Sequence, residues 1–138
     1  MKRRDAREYA LQFLYGIDFL GSFKDDAGRI EKALSDFWTD NHEGDQNIRA
    51  FAKKIITGTI NNLEEIDAVI QKTAEKWKID RMASIDRNIM RFATYELLFM
   101  KDIPNAVSIN EALEIAKKYS AAESAAFING ILDRIAKK

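Results

Sequence analysis

The segment SIDRNIMRFATYELLFM, residues 84–100, decides the fold class of this chain of 138 residues. Its apolar residues cover most of the circumference of a helix, and they are Ile85, Ile89, Met90, Phe92, Ala93, Leu97, Leu98, Phe99 and Met100. A helix that is apolar on nearly every side has to be buried by other elements. The segment is therefore predicted to be the central and most buried helix of the domain.

Amphipathic stripes with helical spacing run along the chain that precedes this segment. The stripes are Ala6, Ala10, Phe13, Leu14 and Ile17, then Ile30, Leu34, Phe37 and Trp38, then Ile48, Phe51, Ala52, Ile55 and Thr59, and finally Leu63, Ile66, Ile70 and Trp77. One proline and six glycines, with few runs of β-branched residues, leave helix as the default conformation. We predict one compact all-α domain of about seven helices.

Two serine and glutamate pairs indicate where the last two helices begin. Ser108 and Ser120 each stand three residues before a glutamate, at Glu111 and Glu123. This is the spacing of a capping box, in which the two side chains satisfy orphan backbone N–H groups at a helix start. Pro104 cannot continue the preceding helix and separates it from the helix expected at Ser108.

One carboxylate falls on the buried stripe of the central helix. Glu96 continues the series of Ile89 and Phe92, where an unpaired charge would cost several kcal/mol. We expect it to accept backbone N–H groups at the start of the Ser108 helix, or a hydrogen bond from the side chain of Asn110. Its role would then be structural and not catalytic.

The composition argues against several classes of function. The chain has no cysteine, and its single histidine, His42, lies in a polar run, so no cysteine and histidine metal site is expected. No nucleophile is accompanied by a base, and no glycine-rich phosphate loop is present, which disfavours an enzyme or a cofactor site. There is no apolar run of 18 or more residues. These observations favour a soluble cytoplasmic protein that is not an enzyme.

The N-terminus concentrates positive charge in a chain whose formal net charge is zero. Lys2, Arg3, Arg4 and Arg7 lead directly into the first stripe, and helical spacing would put the three guanidiniums on one face. Guanidiniums bind phosphate bidentately and stack on nucleobases, so this arginine arm is a candidate RNA contact. The alternative is a solvated helix start in which Arg4 pairs with Glu8.

Electrostatics limits what the arginine arm could achieve by itself. If its four cations each neutralised one phosphate of a single strand, the logarithmic salt slope would be only about −3. Tight binding at cellular ionic strength would then need another surface. Tyr9, Tyr15 and Phe127 could stack on nucleobases, although aromatic residues at helical spacing more often pack in the core.

Four motifs run through the chain. They are Arg3-Arg4-x-x-Arg7-Glu8-x-Ala10-x-Gln12-x-Leu14-Tyr15, Ile85-Asp86-Arg87-x-x-x-Arg91-x-Ala93-x-Tyr95-Glu96-Leu97, Ile109-Asn110-Glu111-Ala112-x-Glu114-Ile115-Ala116-Lys117, and Phe127-Ile128-Asn129-Gly130-Ile131-Leu132-Asp133. Together they resemble the NusB family of transcription antitermination factors. The resemblance implies two small packed helical bundles in a single domain of residues 1–138. Its N-terminal half would span about residues 1–77 and its C-terminal half about residues 80–138.

The resemblance also implies partners and site residues. A family member would have no enzymatic activity and would bind the boxA element of RNA together with NusE, which doubles as a small-subunit ribosomal protein. It would act with RNA polymerase in antitermination and ribosomal RNA transcription, and when free it could form a homodimer. Positions similar to the RNA-binding side of the family are Lys2, Arg3, Arg4, Arg7, Tyr15, Glu123, Phe127 and Asn129. Positions similar to the side facing NusE are Asp86, Arg87 and Arg91.

Two departures from the family pattern and two competing functions accompany this expectation. Asp5 interrupts the arginine run, and Ala126 stands where a lysine is common, so weaker RNA binding than usual is expected. One competitor is the NusB-like domain that precedes a methyltransferase domain in some RNA-modifying enzymes, which the end of this chain at Lys138 disfavours. The other is a helical scaffold that binds only protein.

Overall fold

Helices account for nearly all of the structure. This computed structural model describes residues 2–20 and 27–137, with the side chains of all of these except residues 2, 20, 27 and 28. The described residues form seven α-helices and one short 3₁₀-helix, and no strand. The helices are α1 (Lys2–Leu20), α2 (Ala27–Asn41), α3 (Gln46–Asn61), α4 (Leu63–Ala74), α5 (Ser84–Phe99), α6 (Asn105–Tyr119) and α7 (Ala122–Ala136), with the 3₁₀-helix at Ile79–Arg81. The predicted all-α fold of about seven helices is confirmed.

Helix α5 is the centre of the core. Every residue from Asn88 to Leu97 is buried. Helices α1, α3, α4, α6 and α7 all pack against α5. The prediction that the segment SIDRNIMRFATYELLFM forms the most buried helix is therefore confirmed, and its all-round apolar character is explained by these five neighbours.

Helix α1 is held by neighbours on more than one side. The predicted stripe is buried in full, at Ala6, Ala10, Phe13, Leu14 and Ile17. Tyr9 and Phe13 each contact Phe37 of α2 edge to face, with ring centroids 6.0 and 5.5 Å apart, and Tyr9 contacts Trp38 at 5.5 Å. Edge-to-face pairs stabilise a contact beyond the apolar area that they bury. These rings fasten α2 to α1, while α3 and α5 pack against α1 as well.

Neither predicted capping box caps a helix. Helix α6 begins at Asn105 directly after Pro104, so Ser108 lies inside the helix, where its hydroxyl donates to Glu96 at 2.9 Å. Helix α7 begins at Ala122, and the hydroxyl of Ser120 donates to Asp86 at 2.6 Å. The prediction was wrong because α6 begins before Ser108 and the residue that precedes α7 is Ala121, so neither serine stands at a helix start, and both hydroxyls donate to buried carboxylates on α5 instead.

Helix α4 ends earlier than its apolar stripe predicts. It stops at Ala74, and Glu75 follows in the left-handed region with a φ of 57°. The chain therefore turns before Trp77, which is 57% exposed instead of packing with Ile66 and Ile70. The assignment of Trp77 to the core stripe was wrong, because the helical period does not continue through this turn.

The predicted division into two halves near residues 77–80 stays a prediction. Helix α1 packs against both α3 and α5, so the first helix contributes to the core of each half. None of the described helices combines the length and the apolar character that crossing a membrane requires.

Candidate nucleic-acid interface

An open cleft lies between the segment that follows α4 and the exposed side of α7. Trp77 and Phe127 form one wall, with their rings edge to face and centroids 6.1 Å apart. The cleft has a volume of about 650 Å³, which suits a small planar group. We call it the Trp77–Phe127 cleft, and its remaining lining residues are Lys76, Lys78, Arg81, Met82, Ala83 and Asp86.

Positive charge predominates around this cleft. Lys76, Lys78 and Arg81 are all exposed, whereas the only carboxylate among the lining residues, Asp86, is buried. Its two oxygens accept hydrogen bonds from the hydroxyls of Ser120 and Ser124 at 2.6 and 2.8 Å. The carboxylate is thus occupied by hydroxyls from the end of α6 and the start of α7, and three cations remain at the surface beside two aromatic rings.

The arginine arm has a different arrangement. The Arg7 side chain is only 2% exposed and donates two hydrogen bonds to Glu96, at 2.8 and 2.7 Å. Glu96 is itself 1% exposed and also accepts from Ser108. The expectation that three guanidiniums share one accessible face is therefore wrong for Arg7, which pairs with a carboxylate inside the molecule. Glu96 has the structural role expected of it, but its partners are Arg7 and Ser108 and not backbone N–H groups or Asn110.

Arg4 is also paired within the molecule. It donates two hydrogen bonds to Glu111, at 2.9 and 2.8 Å. These bonds outweigh the burial of the carboxyl group and hold the pKa of Glu111 below its ordinary value. The alternative pairing of Arg4 with Glu8 is not the one formed, since Glu8 accepts hydrogen bonds from Lys118 and from the hydroxyl of Tyr119.

Arg3 is the exposed guanidinium of the arm. Its central carbon lies over the ring of Phe51, 4.8 Å from the centroid, which orients the group without enclosing it. The side chain of Lys2 lies outside the described part of the chain, so its predicted RNA contact stays a prediction.

Comparison with known proteins gives full-length matches. The model of the NusB family matches residues 4–137. Transcription antitermination protein NusB of Thermodesulfovibrio yellowstonii is 54% identical, with 100% of this chain and 93% of that protein covered.

The chain belongs to the NusB family.

Solved NusB structures share the fold. T. maritima NusB is 41% identical, with a TM-score of 0.85 over 99% of this chain and 91% of that chain. A structure of antitermination factors NusB and NusE in complex with dsRNA is 27% identical, with a TM-score of 0.85 over 99% of this chain and 96% of that one. The resemblance read from the four motifs is confirmed.

The residues predicted to face NusE are engaged inside this molecule. Arg87 and Arg91 both lie close to Asp18 on α1, with N to O distances of 2.7 and 3.2 Å. Arg91 also donates to Asp67 at 2.8 and 2.9 Å. Burial opposes ionisation of Asp18, but hydrogen bonds from Arg87 and Asn88 outweigh it, so the pKa of Asp18 lies below its ordinary value. Asp86, described above, is occupied by two hydroxyls.

The other predicted RNA-facing positions lie at the surface. Tyr15, Glu123 and Asn129 are exposed, and Phe127 is partly buried against Trp77. Phe19, one helical turn beyond Tyr15, is 79% exposed, so α1 carries two aromatic rings on one face. These positions can be reached by a ligand, unlike Arg7.

The sequence reading missed the cations and the indole of the Trp77–Phe127 cleft. A signal was present, since Lys76-Trp77-Lys78 interleaves two cations with an aromatic ring, a pattern typical of nucleic-acid contacts. It was hidden because Trp77 also fits the apolar period of α4. Within the described portion, no group of three or more acidic or histidine side chains is arranged to hold a metal ion.

Proposed function

We propose that this NusB family protein is an antitermination factor that binds boxA-type RNA together with NusE and acts with RNA polymerase in ribosomal RNA transcription. The observation that carries the proposal is the match over the whole chain to proteins named as antitermination factors, at up to 54% identity. A NusB structure with NusE and dsRNA has the same fold, which supports both partners.

We assign the RNA contact mainly to exposed groups. The aromatic rings of Tyr15 and Phe127 can stack on nucleobases, and Glu123 and Asn129 can hydrogen-bond to base edges or to the 2′-hydroxyl. Exposure of these four side chains supports the assignment, with Phe127 the least exposed of them.

The arginine arm contributes less than its sequence suggests. Lys2 and Arg3 remain proposed phosphate contacts, and Arg4 could contribute only from the edge that its bonds to Glu111 leave open. Arg7 is removed from the proposed contacts, because breaking its buried pair would leave Glu96 unpaired.

The proposed NusE surface lies on the N-terminal part of α5. Asp86, Arg87 and Arg91 would act there mainly by fixing the surface through their internal hydrogen bonds, since each is already satisfied. A homodimer of the free protein would be a competing use of an exposed surface. We further propose a cytoplasmic location and no enzymatic activity, on the basis of the role for which the relatives are named.

The two competing functions are less well supported. The relatives named as antitermination proteins are matched over 93% of the length of the first and 88% of the second, so they do not carry a large additional methyltransferase domain. A scaffold that binds only protein would explain the internal pairing of Arg4 and Arg7. It would not explain three exposed cations beside two aromatic rings in one cleft.

The test is a titration of a boxA-type RNA with the protein alone, with NusE alone and with both. We expect the pair to bind at least tenfold more tightly than this protein alone, which corresponds to about 1.4 kcal/mol of coupling. The physical reason is that the chain is formally neutral, so the partner has to supply further phosphate contacts. Equal affinities with and without NusE would contradict the proposal.

A salt series provides the control for this titration. Each phosphate that the pair neutralises adds about −0.7 to the logarithmic slope for a single strand. The slope for the pair should therefore be steeper than the slope for either protein. Charge reversal at Arg7 is unsuitable as a control, because it would place two like charges in the core and unfold the protein.

A further inference from the structure

The geometry points to a binding site for one unpaired nucleobase in the Trp77–Phe127 cleft, with the neighbouring phosphates held by Lys76, Lys78 and Arg81. This inference rests on the proposed RNA-binding function and assigns to it residues that the family resemblance did not indicate. Gln71 is assigned as the positioning residue of the site.

The indole of Trp77 is presented for a ligand. Trp77 is 57% exposed, so a large apolar area of this residue can be covered by a ligand that enters the cleft. The ring of Phe127 meets the indole edge to face, and the ammonium group of Lys76 lies over the indole, 6.0 Å from its centroid, so the exposed part of Trp77 borders both the cleft and a cation. Nucleobases of any sequence can stack on such a ring, because each has a π-face.

The segment that carries Trp77 is already ordered. The side-chain amide of Gln71 donates to the carbonyl oxygens of Glu75 and Trp77, at 3.2 and 2.9 Å. Its oxygen accepts from the backbone N–H of Ile79 at 2.9 Å. One side chain thus makes three hydrogen bonds across the turn, and an ordered site loses less entropy when a ligand binds.

Charge favours a polyanion over a basic or apolar protein segment, and the aromatic ring favours a nucleic acid among polyanions. Three cations and one buried carboxylate line the cleft, so its net charge is about +2. The carboxylate of Asp86 is buried and accepts hydrogen bonds from two serine hydroxyls, whereas the three cations are exposed. Trp77 offers a planar ring on which a base can stack, and Lys76 and Lys78 stand on either side of it in the sequence. This arrangement matches a base with its flanking phosphates.

The main variant is Trp77→Ala, tested with a single-stranded boxA-type RNA in the presence of saturating NusE. We expect RNA affinity to fall tenfold or more, while Trp77→Phe stays within about threefold because it retains a ring. Phe99→Ala is the matched control. Phe99 is also exposed but lies 13 residues beyond Asp86 on α5, about 20 Å along the helix, so affinity should not change.

Two further measurements distinguish a base contact from an indirect effect. Adding RNA should quench the fluorescence of the wild type but not of Trp77→Phe, in which the remaining Trp38 is buried. Abasic nucleotides placed one at a time along the RNA should identify one position that weakens the wild type tenfold. An abasic nucleotide at that position should lower the RNA affinity of Trp77→Ala only slightly further, because both changes remove the same contact.

Gln71→Ala tests the positioning role. It should weaken RNA binding severalfold and lower the fluorescence anisotropy of Trp77, because the turn loses three hydrogen bonds. Unchanged anisotropy and affinity would overturn that assignment.

The outcomes separate this inference from the proposed function. If the wild type binds RNA and Trp77→Ala binds it equally well, the cleft is not a base site and the antitermination role stands. If Trp77→Ala weakens NusE binding but not RNA binding, the cleft is a protein contact and the inference is overturned. If the wild type binds no RNA even with NusE, the proposed function fails as well.

Discussion

Two clusters of cations in this molecule have the same chemistry and opposite uses. In the arginine arm, Arg4 and Arg7 each donate two hydrogen bonds to a carboxylate from another helix. In the Trp77–Phe127 cleft, Lys76, Lys78 and Arg81 lie exposed beside aromatic rings. The first cluster joins helices, and the second is available to a ligand.

The difference lies in what the neighbouring helices present. Helices α5 and α6 direct Glu96 and Glu111 at α1, so the guanidiniums of the arm find carboxylates on folding. The carboxylate that lines the cleft with these cations is Asp86, and Ser120 and Ser124 already donate to both of its oxygens. A run of cations in a sequence therefore indicates a ligand site only where no carboxylate of the fold reaches it.

The largest effect is expected from the buried pair of the arm. Arg7→Met should lower the free energy of unfolding by about 3–5 kcal/mol, because it leaves the charge of Glu96 buried without its partner. Urea denaturation at neutral pH measures the loss. RNA affinity, determined at a temperature where the variant is folded, should remain close to that of the wild type.

The double variant Arg7→Met with Glu96→Leu is the matched control. Removing both charges should cost less than removing Arg7 alone, since Glu96 no longer leaves a buried charge unpaired, Glu111 keeps its pair with Arg4, and the apolar side chains fill similar volumes. A small loss of stability in Arg7→Met together with abolished RNA binding would reverse the comparison and return Arg7 to the RNA surface.

A smaller effect is expected at the carboxylate that supports the cleft. Asp86→Ala should cost about 1–3 kcal/mol, because the hydroxyls of Ser120 and Ser124 lose their acceptor beside α7. RNA binding should weaken severalfold, since Phe127 lies on the same helix. Asp86→Asn keeps one acceptor oxygen, so it should lose less stability and less RNA affinity than Asp86→Ala. Lost stability without any change in RNA affinity would show that the cleft does not depend on this contact.

Local periodicity explains what could be predicted from the sequence. The buried stripe of α1 and the all-round apolar character of α5 depend on residues within one helix, so spacing alone reveals them. The buried pairs do not, because Arg7 and Glu96 are separated by 89 residues and Arg4 and Glu111 by 107. Sequence reading therefore finds the cations but not their partners.

The same limit applies to the helix ends and to the cleft. Ser108 and Ser120 have the right spacing for capping boxes, but α6 begins directly after Pro104 and α7 directly after Ala121, and both hydroxyls donate to carboxylates on α5 that are distant in sequence. Trp77 fits the period of α4, yet the turn at Glu75 removes it from the core. In both cases a contact or a turn outside the local pattern decided the outcome.

The smallest effect concerns the partly exposed pair of the arm and is seen as a pH dependence. Hydrogen bonds from Arg4 hold the pKa of Glu111 below its ordinary value of 4.5, so the folded state resists a proton that the unfolded state accepts. Stability from this pair is therefore complete above pH 4.5 and is lost as the pH falls from there toward the lowered pKa. Because Arg4 is about one third exposed, solvent screening limits the contribution to about 1 kcal/mol. Glu111→Gln should make the loss of stability at acid pH less steep. The slope of the free energy of unfolding against pH should decrease by the equivalent of up to about one bound proton.

Glu64→Gln, a change at an exposed carboxylate in the first turn of α4, is the control and should leave that slope unaltered. The cations of the cleft have no part in the Glu111 pair. RNA affinity at neutral pH should therefore be the same in Glu111→Gln as in the wild type. If Glu111→Gln instead tightened RNA binding, the released Arg4 would be a phosphate ligand that Glu111 holds back. The arm would then resemble the cleft in being available to RNA, and the distinction between the two clusters would apply to Arg7 alone.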